Sequence, residues 1–126
     1  MILFLDENMP PSVAASLHAL GTVEAHHLLA HLPRGTPDEE IFEFVARKQW
    51  ILLTQDERIK RNPHQRQALL ESGIGAFILT GRAERSTEDT MRFLLERLPE
   101  MREELEGVEP PFIFGVPDRG GIQRLG

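Results

Sequence analysis

The chain has 126 residues, 40% of them hydrophobic and 27% charged, with no cysteine and a net charge of −6. This is the composition of a single domain that buries its own core, and it excludes disulfides and thiolate-bound zinc. The acidity argues against a general nucleic-acid coat, no apolar run approaches the ~18 residues of a membrane span, and no basic leader precedes the first apolar run, so a cytoplasmic protein is expected.

Short apolar runs alternate with helical patterns. Residues 2–5 (ILFL) predict a first strand that stops at Asp6 and Glu7. Val13, Leu17 and Leu20 then recur at helical spacing, with Gly21 as the stop. TVEAHHL predicts a weaker second strand. Thr36, Pro37 and Glu39 read as a capping box with proline at the first helical position, ahead of the buried stripe Ile41, Phe42 and Val45. WILLT predicts a third strand, NPHQRQALLESG a helix closed by Gly73, and AFILT a fourth strand. The helical segment from Ser86 should kink or split at Pro99. PFIFGV predicts a last strand, and residues 117–126 read as a loose tail. The order β-α-β-α-β-α-β-α-β over residues 1–126 predicts a single α/β domain, with helices on both faces of a mostly parallel sheet of about five strands.

In such sheets function gathers at the carboxyl ends of the strands. Asp6 and Glu7 follow the first strand, Thr54 and Asp56 close the third, and Asp38 opens a helix on the same edge. Carboxylates converging there repel one another unless a cation neutralises them. All-oxygen ligands point to Mg²⁺ or Mn²⁺, which suit the hydrolysis of phosphate esters.

The stretches LFLDENMPPSVAASL, TPDEEIFEFV and WILLTQDERI, in this order and at these spacings, resemble the PIN-like nucleases. Within that family they are most similar to the branch grouped with VapC-type toxins of toxin–antitoxin pairs. The resemblance runs from Met1 to about Arg82, roughly two thirds of the chain. It implies a PIN-like three-layer α/β/α sandwich and metal-dependent cleavage of RNA. It also implies metal ligands Asp6, Asp38 and Asp56, with Thr54 supporting Asp56, and a small antitoxin as partner; Glu7, beside Asp6 on the same edge, is a further candidate ligand from its position alone. Larger members of the family place an additional Glu on a helix between the first two Asp residues; here that interval offers only Glu7 and Glu24.

Residues 57–66 (ERIKRNPHQR) carry four basic residues against one acid, in a chain whose segment 88–109 holds eight acids and three arginines. Arg58, Lys60 and Arg61, with Arg82 after the fourth strand, are the candidates for RNA phosphate contacts. Asn8 reads as a cap for the first helix and Trp50 as core. His18, His26, His27, His31 and His64 have no zinc-site spacing. Two other functions stay open. A signalling receiver would use Asp56 as phosphoacceptor and Thr80 as switch hydroxyl, but it needs a lysine after the last strand and FIFGVPDRGG has none. An inactive PIN-like binding module would fit the absent Glu. The oligomeric state stays open between monomer and homodimer.

Overall fold

The structure, a computed structural model, describes residues 1–81 and 85–126. Its elements are β1 (Ile2–Leu5), α1 (Pro11–Leu20), β2 (Glu24–His27), a 3₁₀ turn (Leu28–Ala30), α2 (Asp38–Lys48), β3 (Ile51–Thr54), α3 (Glu57–Arg61), α4 (Pro63–Glu71), β4 (Gly75–Leu79), α5 (Thr87–Glu104), β5 (Phe112–Val116) and β6 (Gln123–Arg124). They form one sheet in the order β2-β1-β3-β4-β5-β6. The first five strands are mutually parallel and β6 is antiparallel to β5.

The alternation of side chains along each strand divides the core between two faces. Leu3, Leu5, Leu53, Phe77 and Leu79 point to one face and meet Val13 and Leu17 of α1 and Leu94 and Leu98 of α5. Phe4, Leu52, Ala76 and Ile78 point to the other and meet Ile41, Phe42 and Val45 of α2, Ile59 of α3 and Leu69 of α4. This is the expected three-layer sandwich. The chain leaves β1 toward β2, then crosses back to β3 and continues outward to β5. The direction of winding therefore reverses between β1 and β3, which opens a crevice at their carboxyl ends.

Besides α3, which the sequence reading did not anticipate, four local features differ from it. The sheet has a sixth strand because the tail is held: the Leu125 N–H donates to the Ile113 carbonyl at 2.7 Å, and the Ile113 N–H donates to the Gly126 carbonyl at 3.0 Å. From α5, Arg97 donates to the Gly120 carbonyl at 2.8 Å and Glu100 accepts from the Ile122 N–H at 3.2 Å. Second, α5 continues through Pro99 without splitting. Its buried residues Thr90, Leu94, Leu98 and Met101 stay in phase on one face, and their packing offsets the ~3 kcal/mol cost of an interior proline.

Third, no capping box forms at α2. The Thr36 hydroxyl donates to the Pro33 carbonyl at 2.6 Å, and the helix begins one residue later with Pro37 at the cap position. Fourth, Asn8 does not cap α1, whose cap position is held by Pro10 with no side-chain bond.

Candidate functional site

The switch-point crevice is built around Asp6. Its backbone N–H donates to the Leu53 carbonyl at 2.9 Å, which extends the β1·β3 ladder by one residue and fixes where the side chain emerges. Its Oδ1 accepts from the Glu7 N–H at 2.8 Å and its Oδ2 from the Thr54 hydroxyl at 2.8 Å. Thr54 has no exposed surface. Its oxygen also accepts from the Asp56 N–H at 3.1 Å and lies 3.3 Å from the Asn8 amide nitrogen. One buried hydroxyl thus ties Asp6, Asn8 and the backbone of Asp56 together. The Thr54 hydroxyl supports the Asp6 carboxylate directly and Asp56 through that residue's backbone N–H.

The loop after Asp6 is braced on both sides. Gln55 donates from its side chain to the Asn8 carbonyl at 2.6 Å. On the other side, the Leu29 N–H donates to His27 Nδ1 at 3.1 Å, so the ring proton sits on Nε2 and is donated to the Met9 carbonyl at 2.7 Å. His27 is buried and serves as a structural clamp on the loop that carries Asp6. Neither Asn8 nor His27 stood out in the sequence as a site-building residue. The only trace was Asn8 directly following the two acids.

Asp38 opens α2, and Glu39 and Glu40 beside it are exposed. Glu7 reaches toward the same helix: its Oε1 accepts from the Gly35 N–H at 3.0 Å. Gly35 takes a φ of 80°, a left-handed conformation that favours glycine. Glu7 therefore anchors the loop that delivers Asp38.

Asp56 caps α3. Its Oδ1 accepts from the Arg58 N–H at 2.9 Å, and the Arg58 guanidinium spans both oxygens, with Nε 3.0 Å from each and Nη2 2.6 Å from Oδ2.

The electrostatics tie these acids together. Burial pushes the Asp6 pKa up, against the lowering pull of Thr54 and Glu7, and the charges of Asp38 and Asp56 push it further up. Asp56 is held below the usual carboxylate range, above all by its hydrogen bonds from Arg58. Asp6 thus lies within range of the charges of both Asp38 and Asp56. Among the described residues, no three acidic or histidine side chains sit close enough together to hold a metal ion in this conformation. The donor chemistry, all carboxylate oxygen, fits a hard divalent cation. In this conformation both oxygens of Asp56 face the Arg58 guanidinium.

The basic strip is not one continuous free face. Arg58 is paired with Asp56, and Arg66 donates to the Lys60 carbonyl at the end of α3. Lys60 and Arg61 are exposed. A groove beside the rim is lined by Asp56, Arg58, Arg61, Asn62 and Pro63. A second, lined by Pro37, Asp38, Phe42, His64 and Gln65, brings His64 alongside Asp38. Arg82 lies outside the described residues.

A doubly wound α/β sandwich with its acids gathered where the strand order reverses defines a class of domain that works at the carboxyl edge of its sheet. A family model described as PIN-like domain matches residues 1–81, about two thirds of the 126 residues, and the chain belongs to that family. The match spans β1 to the end of β4 and so includes Asp6, Asp38, Thr54 and Asp56. PIN-like domains are in general nucleases. No curated protein and no solved structure matches the chain. Among the described residues, no helix is long and apolar enough to cross a membrane.

Proposed function

We propose that this chain is a divalent-metal-dependent endoribonuclease and the toxin of a toxin–antitoxin pair. The observation that carries the nuclease reading is the placement of Asp6. Its carboxylate is fixed by Thr54 at the switch point, and the charges of Asp38 and Asp56 act on it. The toxin role and the small antitoxin partner rest on the resemblance of the DEN, PDEE and TQDE motifs to VapC-type toxins. Asp6, Asp38 and Asp56 would hold Mg²⁺ or Mn²⁺, with Glu7 positioning Asp38 through the Gly35 loop. When bound, the cation would lower the pKa of an attacking water and screen charge on the phosphate. Arg61, from the groove beside Asp56, and the exposed Lys60 of α3 would contact substrate phosphates.

The test is cleavage of labelled single-stranded RNA by the purified chain, with Mn²⁺ and with chelator. Asp6→Asn and Asp56→Asn should each lower the rate at least about 100-fold while the protein still melts cooperatively, since a metal site contributes several kcal/mol to transition-state stabilisation. Cleavage that resists both chelator and substitution contradicts the proposal.

One observation favours a second reading. The described residues contain no preformed cluster of three ligands, as expected of a PIN-like fold retained for binding alone. Such a module would bind RNA or a protein partner without cleavage under any metal condition.

A further inference from the structure

We propose that Arg58 is a built-in counter-cation of this rim: it closes Asp56 when no metal is bound, yields to a divalent cation, and is then free to take a substrate phosphate. This deepens the nuclease reading and rests on it. The geometry is specific. Both oxygens of Asp56 are taken by one guanidinium, at 2.6 and 3.0 Å, in the planar two-oxygen contact that arginine makes best. The two partners are differently placed: the Asp56 side chain is 16% exposed and that of Arg58 is 67% exposed. The arginine can therefore leave without opening the core, whereas the carboxylate stays.

Exposed ion pairs are weak, so a doubly charged ion can displace this one. The groove lined by Asp56, Arg58, Arg61, Asn62 and Pro63 gives the released guanidinium a place beside the rim. A single side chain would then couple metal loading to phosphate binding. The acidic rim would stay neutralised in the resting protein.

The test is calorimetric titration of the full chain with Mn²⁺ alone, at low ionic strength and with melting curves alongside. Arg58→Ala should tighten Mn²⁺ about three- to fivefold, the upper span of an exposed ion pair. Arg58→Lys keeps the charge but loses the two-oxygen contact, so it should show part of that gain. Lys60→Ala, which removes a neighbouring charge outside this contact, should change the affinity by less than about 1.5-fold. The gain from Arg58→Ala should vanish in an Asp56→Asn background. Equal or weaker binding by Arg58→Ala overturns the proposal, as does the same gain from Lys60→Ala or a gain that survives Asp56→Asn. If the wild type binds Mn²⁺ and Arg58→Ala does not alter it, only the role of Arg58 falls. If neither protein binds Mn²⁺, the metal-dependent nuclease falls with it.

Discussion

The buried hydroxyl of Thr54 donates one hydrogen bond and accepts two, and the orientation of Asp6 depends on it. Thr54→Val keeps the shape and removes the hydroxyl, leaving the Asp56 N–H and the Asn8 amide without this partner. We expect it to cost about 1–3 kcal/mol in urea unfolding, and Thr54→Ser to recover most of that loss. The two flanking acids should respond to pH with opposite signs. The raised pKa of Asp6 means that its contribution to stability is full below the ordinary carboxyl value of 3.8 and is lost as pH rises through the folded value. Asp6→Asn, which cannot ionise, should therefore melt above the wild type at about pH 7 in chelator, and the advantage should shrink toward about pH 3.5. Asp56 is shifted down by Arg58, so its contribution is present above 3.8 and is lost as pH falls through the folded value. Asp56→Asn should melt below the wild type at neutral pH and converge with it in acid. Identical pH profiles for the two variants would contradict these assignments. At this scale the acids were legible in the sequence because each stands just past a strand or at a helix start. Asn8 and His27 were not, because their partners Thr54 and Met9 meet them only through the fold.

Among the elements, those with a strong apolar period were readable from sequence alone, namely β1, β3, β4, β5, α1, α2 and α5. The five-residue α3 was not, because among its described side chains only Ile59 is buried, and it depends on the cap that Asp56 provides. Likewise β6 has no strand pattern, and hydrogen bonds from β5 together with contacts from α5 hold it. The capping box at Thr36 was a legitimate local signal that a competing turn bond to Pro33 displaced. Packing makes one sharp demand on β4. A Cβ on Gly75 would fall 2.2 to 2.8 Å from three atoms of the Phe112 ring, and Phe112 is buried. Gly75→Ala should cost about 1–3 kcal/mol by overpacking. Gly75 is at the amino end of its strand, opposite the rim, so activity per folded molecule should be unchanged. In α3, Lys60→Ala should flatten the dependence of log K on log salt for single-stranded RNA by about 0.7 if Lys60 touches a phosphate. An unchanged slope would leave Lys60 on a solvated face.

For the molecule as a whole, the alternation of strands and helices was enough to anticipate the three layers and the edge on which function gathers. It could not give the strand order, since which strands neighbour β1 depends on long-range packing. That order puts β3 directly beside β1 and so lets Thr54 reach Asp6 across 48 positions of sequence. The same topology puts Arg61 in the groove beside Asp56, whereas the eight acids of residues 88–109 lie on α5 and the turn that follows it. The central claim is that Asp6, Asp38 and Asp56 serve one divalent-cation site, and anomalous diffraction from crystals grown or soaked with Mn²⁺ tests it most directly. The account predicts manganese in the switch-point crevice, with carboxylate oxygens of Asp6, Asp38 and Asp56 bound at about 2.0–2.2 Å or through one water, and Arg58 turned away from Asp56. Manganese absent from the crevice at saturating concentration, with Arg58 still spanning both oxygens of Asp56, would contradict it.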